Sequence, residues 1–397
     1  MPSVDEQLER ILRNVDVVTP EADLREKLAS GRSLRVKLGL DPTAPAVTLG
    51  WAVVLRKLRH FQELGHTAVL IVGDFTAQVG DPSGKSETRR RLSNEEVQGY
   101  ARSVLAQFQR VLLPEPLEIR YNSEWLGSLD MTAVLELTAK TTVAHMLERG
   151  DFAKRLETGS PISIMEFMYP LLQGYDSVAV QADVELGGSD QLWNLMMGRI
   201  IQERYGLAPQ VAMTMPLLLG VDGTQKMSQS LGNYIGVADS PDEMFGKTMS
   251  IPDSLIEQWL RLATEMMAPD VDALVSGLAD GSAHPGEVKR LLARSVADLY
   301  HGPGSGVTAE SAFDRLFKSH QAPEEIPEYP LPPGGTVSLP SLLRDAGLVA
   351  SAGEARRLIE QGAVRLEGSP LRAVEIDRAE LAGRVIQVGK RKFCRLV

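Results

Sequence analysis

Residues 34–75 constrain the fold more than any other stretch. LRVKLGLD (34–41) alternates, so Val36, Leu38 and Leu40 share one side of an extended strand. After the turn DPTAP, WAVVLRKLRHFQELG (51–65) sets Val54, Leu58 and Phe61 on one helical face, with Gly65 placed to end the helix. TAVLIVGDF (67–75) is a short unbroken apolar run, as buried parallel strands show. Strand, helix and strand in that order imply a parallel sheet with a right-handed crossover, hence an α/β fold. Ligands of such sheets gather at the carboxyl ends of the strands, here Gly39-Leu40-Asp41 and Gly73-Asp74.

VELGGSDQ (184–191) reads as another strand end. Gly187 and Gly188 let a ligand approach the backbone, and Ser189 or Asp190 is placed to cap a helix over about 190–205. Leu192, Leu195, Met196 and Ile200 mark that helix's expected buried face. From about 250 to 320 the pattern is helical, most clearly in IEQWLRLATEMM and VKRLLARSVADLY. At 397 residues the chain is too long for one ordinary core, and APEEIPEYPLPPGG (322–335), with five prolines, reads as a linker.

Charge divides at that point. Residues 336–397 hold 11 Lys and Arg against 7 Asp and Glu, a net +4, and the whole chain carries −10. A basic tail on an acidic body fits either a nucleic-acid contact or a solvated surface. The single cysteine, Cys394, excludes an intramolecular disulfide and fits a reducing compartment. None of the six histidines pairs with a cysteine at zinc-ligand spacing, so no protein metal site is expected. The start, MPSVDEQLERIL, lacks a signal peptide's apolar core, and no apolar run approaches bilayer length. A cytoplasmic protein without a membrane partner is the expectation.

Three polar segments carry the candidate chemistry. GDPSGKS (80–86) looks like a phosphate-binding loop, but it has three residues between glycines where that motif needs four, and Pro82 removes an amide. In IMEFMYPLLQGYDSVAV (164–180), Tyr169, Gln173 and Asp176 fall at i, i+4 and i+7 on one helical face. That face is either a polar patch in a buried pocket or a stripe toward solvent. Pro170 lies where it would interrupt the first turn or mark the helix start. DGTQKMSQSLGN (222–233) sets Lys226 in a glycine-flanked polar loop that looks built to move.

Together, GLDPTAPAVTLGWAVVLRK, GDFTAQVGDPSGKS, YNSEWL, MYPLLQGYDS, ELGGSDQLWN and DGTQKMSQSLGNYI resemble the bacterial tyrosyl-tRNA synthetases in order and spacing. The likeness runs from about residue 30 through an S4-like tail at SLLRDAGLVASAGEARRLIEQGAVRL. It implies a Rossmann-like catalytic domain over 1–246 with a dimer-interface segment near 126–160. An α-helical tRNA-binding domain over 247–322, a linker over 323–335 and a small α+β S4-like RNA-binding domain over 336–397 would follow. The implied partners are tRNA(Tyr), L-tyrosine, ATP with Mg²⁺, and a second copy of the chain. The implied reaction forms tyrosyl-adenylate and then moves tyrosine to the tRNA's terminal ribose.

The resemblance also implies roles. Asp176 would accept from the substrate phenol. Tyr169, Gln173 and Asp81 would hold its ammonium group, with Thr76 and Asn122 nearby, and Gln191 would sit near its carboxylate. Asp41, Gly187, Gly188 and Asp190 would line the ribose, and Thr43 would contact the triphosphate. Lys226, beside Met227 and Ser228, would close onto the triphosphate as charge builds up. Thr48, Gly50 and Trp51 would meet ATP at a helix N-terminus with free amides. Arg356, Arg357, Lys390, Arg391 and Lys392 would contact tRNA phosphates.

Three positions depart from the family pattern. Thr48-Leu49-Gly50-Trp51 stands where His-x-Gly-His is usual, Gln229 where lysine is common, and Lys37 where many relatives have a tyrosine sharing the substrate hydroxyl. Trp51 would stack on adenine, fill the space ATP needs, or pack into the core. Two functions of different class therefore stand: a tyrosine–tRNA ligase, and an adenylation-impaired synthetase-like protein that binds tyrosine or RNA.

Overall fold

The computed structural model describes residues 2–83, 93–317, 326–389 and 392–397. It divides into two compact units, Met1–Pro303 and Gly304–Val397.

The first unit is built on a six-stranded sheet of β1 (Val17–Thr19), β2 (Arg35–Leu40), β3 (Thr67–Val72), β4 (Leu117–Tyr121), β5 (Val184–Gly188) and β6 (Val211–Met215). Its order is β1-β6-β5-β2-β3-β4. Every pair is parallel except β1 with β6. The expected strand–helix–strand unit is present, with α1 (Leu49–Glu63) joining β2 to β3. Val54, Leu58 and Phe61 are buried along α1, and Gly65 just beyond it takes a positive φ of 88°, as a helix terminator does.

The alternation in β2 sorts its side chains between the two faces of the sheet. Val36, Leu38 and Leu40 join Ala68, Leu70 and the buried face of α1 in the main core. Val69 and Ile71 of β3 point the other way, into a smaller cluster with Val180 and Ala182. That second face is covered by α2 (Thr76–Val79), α3 (Ile164–Ala179) and α4 (Leu192–Arg204). Lys37, between Val36 and Leu38, therefore falls on the α3 side.

Three local readings are corrected. Pro170 lies inside α3, not at its start. Ser163 caps that helix in a reciprocal pair with Glu166, which fixes its start a full turn earlier. Neither Ser189 nor Asp190 caps α4: Ser189–Gln191 forms a 3₁₀ turn and the helix begins at Leu192. The large apolar residues α4 buries are Leu195, Met197 and Ile201, not Leu192, Met196 and Ile200. Apolar residues surround this helix, so periodicity selected no single face, and the 3₁₀ turn moves the phase.

The helical region follows as α5 (Pro241–Met249), α6 (Ile256–Ala263), α7 (Ala268–Asp280) and α8 (Pro285–His301). Its buried Trp259, Leu260, Leu292 and Val296 belong to the same core as the sheet. The boundary drawn at 246/247 is thus not a break between compact units.

The second unit has its own core of Leu339, Leu343, Ile359, Val364, Ile386 and Leu396. Val385–Val388 pairs antiparallel with both Lys392–Leu396 and Val364–Leu366. Residues 326–335 of the expected linker are not a free spacer. Glu328–Tyr329 pairs with Arg395–Leu396, and Leu331 is buried in this unit's core.

Candidate active site

The carboxyl ends of β2 and β3 meet in a hydrogen-bonded chain of side chains. Asp41, one residue past β2, accepts from the Thr76 hydroxyl through Oδ1 at 2.7 Å and from the Tyr169 hydroxyl through Oδ2 at 3.0 Å. Gly73, just past β3, makes this approach feasible, because a Cβ there would overlap both Asp41 Oδ1 and Thr76 Oγ1. Asn122 then donates from Nδ2 to Thr76 Oγ1 at 2.9 Å and to Asp176 Oδ2 at 3.3 Å. Trp125 Nε1 closes the run on Asp176 Oδ1 at 2.8 Å. Five of the residues singled out in the sequence thus form one network: Asp41, Thr76, Asn122, Tyr169 and Asp176. Thr76, Asn122, Tyr169 and Asp176 are buried, which excludes the solvent-facing reading of the α3 stripe.

Burial and crowding raise the acidic groups here. Asp41 is pushed up to about 7, chiefly by burial, with the charges of Asp81 and Asp176 adding to it and the Thr76 and Tyr169 bonds opposing. Asp176 is pushed up to about 6 by burial, opposed first by the Lys37 charge and then by its bonds to Trp125 and Asn122. Tyr169's phenol is held well above its ordinary value, first by burial and then by the Asp41 carboxylate. Three carboxylates at one site favour a cationic ligand group.

Gln173 contributes a buried Oε1 with no hydrogen-bond partner, while its Nε2 donates to Glu185 at 3.1 Å. Gln191 donates to Asp81 Oδ2 at 2.9 Å and accepts from Asn194 at 3.0 Å. An open cavity of about 500 Å³ lies beside this group, with Ser83, Arg149, Asp190 and Trp193 on its walls. In GDPSGKS, residues 84–86 lie outside the described residues.

The opposite side of the site is the loop of Lys226. Its ammonium meets Asp190 Oδ2 at 2.6 Å while the side chain remains half-exposed. The backbone around it is held firmly. Asn233 Nδ2 donates to Asp222 Oδ2 at 2.9 Å, and Asn233 Oδ1 accepts from the Ser228 amide at 2.8 Å. Met227 is buried and packs beside Gly50 of α1.

The start of α1 differs from its expectation. Thr48 is a buried cap whose hydroxyl accepts from the Trp51 amide at 3.4 Å. The Leu49 and Ala52 amides donate to Ile235 and Thr48 carbonyls, so free amides are scarce there. Trp51 is 37% exposed, which excludes the core-packing reading. Thr43 is exposed in the turn after Asp41. Gly187 and Gly188 close β5 beside Gln191 and Asp190.

Sequence reasoning missed four participants: Trp125, Ser177, Glu185 and Lys37 as a buried group. Lys37 Nζ bonds Ser177 Oγ at 2.8 Å, the Gln173 carbonyl at 2.9 Å and Glu185 Oε1 at 2.9 Å. A charged residue centred in each of two adjacent apolar strands was the available signal.

In the second unit, Arg356 and Arg357 are exposed on the helix Ala352–Glu360. Lys392 is exposed, and its ammonium donates to the Leu348 carbonyl at 2.7 Å. Lys390 and Arg391 lie outside the described residues.

The chain is similar to known proteins over most of its length. The family model of tRNA synthetases class I (W and Y) matches residues 29–318. The tyrosine–tRNA ligase of Moorella thermoacetica is 51% identical over 397 residues, 99% of this chain and 96% of that protein. That of Carboxydothermus hydrogenoformans is 48% identical, over 98% of this chain and 97% of its own. Among solved structures, the tyrosyl-tRNA synthetase of Archaeoglobus fulgidus complexed with L-tyrosine aligns with a TM-score of 0.63 and 25% identity, covering 77% of this chain and 99% of that one. A match across most of its length, and half its residues shared with a full-length relative, give the conclusion: the chain belongs to the class I tRNA synthetases (W and Y).

Proposed function

We propose that the chain is a tyrosine–tRNA ligase, which joins L-tyrosine to ATP as tyrosyl-adenylate and passes the tyrosine to the 3′ end of tRNA(Tyr). One observation carries this reading. Among the described residues, buried Asp176 has Asn122 and Trp125 on its oxygens, leaving acceptor capacity for a phenol hydroxyl.

The roles follow from the surrounding groups. The substrate ammonium sits among Asp81, Tyr169 and the unpartnered Gln173 Oε1, with Thr76 and Asn122 behind them. Gln191 faces the substrate carboxylate. Asp41, Gly187, Gly188 and Asp190 line the ribose, and Thr43, Gly50, Trp51, Met227 and Ser228 border the triphosphate. Thr48 acts through the helix start it caps. Lys226 leaves Asp190 for the triphosphate.

The tyrosine carboxylate attacks the α-phosphorus, the bond to the bridging oxygen breaks, and pyrophosphate leaves. A ribose hydroxyl of the tRNA then attacks the acyl carbon and AMP leaves. Neither step needs a covalent enzyme intermediate, so the chain contributes positioning and charge stabilisation. Mg²⁺ enters with the triphosphate as part of the substrate. Among the described residues no group of three or more His, Cys, Asp or Glu forms a cage for it.

A homodimer is part of the reading. Met131, Leu135, Val143, Leu156 and Ile164 are large apolar residues left exposed within 131–164, a concentration that marks an interface. The second unit reads tRNA through Arg356, Arg357, Lys390, Arg391 and Lys392. No helix among the described residues is long and apolar enough to cross a membrane, and the reading places the enzyme in the cytoplasm.

Charging of tRNA(Tyr) with labelled tyrosine, in the presence of ATP and Mg²⁺, tests the whole reading. Tyrosyl-tRNA should form. Tyrosine binding without any adenylate or charged tRNA would favour the adenylation-impaired alternative.

A further inference from the structure

Beneath the pocket lies an ion pair that none of the assigned roles uses. Lys37 and Glu185 are direct neighbours in the register of β2 and β5. Their side chains are 0% and 1% exposed. All three ammonium protons have partners: Gln173 O, Ser177 Oγ and Glu185 Oε1. Glu185 is engaged as fully. Its Oε1 also accepts from Gln173 Nε2, and its Oε2 from Ser177 Oγ and Gln210 Nε2. Gly198 leaves room for this cluster, since a Cβ there would overlap Gln210 Nε2 and crowd Glu185 Oε2.

A fully buried ion pair is a poor route to stability, because an apolar pair of equal volume does as well without the desolvation cost. This pair has a different consequence. It grips Gln173 by both its backbone carbonyl and its side-chain amide, which leaves Oε1 as the only free polar atom of that side chain. It also borders Asp176. The groups facing that carboxylate are Lys37 and Glu185 from the sheet, Asn122 and Trp125 from the segment after β4, and Asp41 and Tyr169 through Thr76. Lys37 is the only cation among them and the strongest influence favouring ionised Asp176.

We propose that Lys37 and Glu185 are positioning residues for the amino-acid substrate, fixing Gln173 Oε1 toward its ammonium and setting a cation on Ser177, next to the Asp176 that receives its hydroxyl. Neither touches the substrate, since their polar atoms are occupied within the protein. The inference rests on the tyrosine-activating reading and adds the source of that pocket's order.

The test uses the full chain carrying both Lys37→Met and Glu185→Gln, because a single substitution leaves one buried charge unpaired and threatens folding. Two measurements are made on the folded double variant and on the unsubstituted chain. Carboxyl titration by ¹³C NMR follows Asp176 without ligand. Tyrosine-dependent pyrophosphate exchange gives separate KM values for tyrosine and ATP across pH. Lys37 acts on Asp176 more strongly than the opposing Glu185 charge, so losing both should still move the Asp176 midpoint upward. The tyrosine KM should rise at least tenfold at pH 7, and more steeply as pH falls, while the ATP KM stays within twofold. An unmoved midpoint overturns the proposal, and so does a moved midpoint with an unchanged tyrosine KM, which would leave the pair a structural role only. If the unsubstituted chain shows no tyrosine-dependent exchange, the functional reading fails, and the ligand-free titration alone decides whether the pair governs Asp176. A double variant that cannot fold also overturns the proposal, since the pair would then be needed for the fold itself.

Discussion

The two sides of the site are built differently. On the side proposed for the amino acid, Asp41, Thr76, Asn122, Tyr169 and Asp176 bond to one another around buried atoms, and the Lys37–Glu185 pair holds Gln173 from below. On the side proposed for the nucleotide, the counterpart charge among the described residues is half-exposed Lys226, resting on Asp190. The first arrangement is set before the substrate arrives, and its cost was met when the chain folded. The second must exchange one partner for another during the reaction. A buried network gives discrimination, because every unpaired polar atom within it is costly. A half-exposed ion pair is worth little to stability, so it can be broken cheaply when a triphosphate with more charge is at hand.

That contrast can be broken by substitution on either side. Lys226→Ala should have the largest effect, lowering the rate of adenylate formation by roughly 10²- to 10³-fold, the scale of losing one positioned donor to developing charge. Tyrosine affinity measured without ATP should be unchanged. Calorimetry of tyrosine binding and single-turnover adenylation on the same sample check both halves, and a defect confined to tyrosine affinity would contradict the assignment.

Asp176→Ala attacks the other side. Removing a charged acceptor costs the phenol about 2–3 kcal/mol, or on the order of 10²-fold in kcat/KM for tyrosine. Phenylalanine, with no hydroxyl to lose a partner, should be affected far less, so the preference between the two should collapse. Pyrophosphate exchange driven by each amino acid measures this. Unchanged selectivity would remove Asp176 from its role.

Trp51→His probes how far the nucleotide side departs from its relatives. Trp51 stands half-exposed at the start of α1, whose first amides are already engaged. A histidine there restores a compact donor, and kcat/KM for ATP should rise about tenfold, or ~1.4 kcal/mol of transition-state stabilisation. ATP kinetics that are unchanged or worse would make Trp51 a working solution in its own right. In the second unit, replacing both Arg356 and Arg357 by alanine should weaken tRNA binding about tenfold and flatten its salt dependence by about two charges. Amino-acid activation should not change.

The smallest expected effect is on stability. Asp41 is raised to about 7, so between its unfolded value near 3.8 and 7 the folded state holds a proton that the unfolded state has released. Stability from this group is therefore fully present at low pH and is lost as pH rises through 7. Asp41→Asn should accordingly melt a few degrees higher than the unsubstituted chain at pH 8, with the gain shrinking below pH 7, as thermal melts across pH would record. A gain independent of pH would show that the carboxylate's charge is not its cause.

What the sequence disclosed follows the same division. β2 and α1 were legible because each buries its apolar residues at one period, and β3 because it is apolar on both faces of the sheet. The face of Tyr169, Gln173 and Asp176 was legible because α3 runs unbroken through Pro170, so their spacing held. The register of α4 was not legible, because apolar residues surround it and a 3₁₀ turn precedes it. As a buried pair, Lys37 and Glu185 escaped notice for a different reason. Within a strand each is one charge among apolar residues, and only the pairing of β2 with β5 makes them partners. Thr48 was read as a residue that meets ATP, and its part as the cap of α1 became visible only in the structure. The tail's positive balance was visible in composition, while the integration of residues 326–335 into its sheet depends on pairing across the unit.

The account's central claim is that a preformed pocket selects tyrosine and a separate mobile charge drives its activation. Exchange of labelled pyrophosphate into ATP, run on the unsubstituted chain with tyrosine, phenylalanine or no amino acid, tests it most directly. The account predicts exchange with tyrosine, at least 10²-fold less with phenylalanine, and none without an amino acid. Equal exchange with both amino acids, or none with tyrosine, would contradict it.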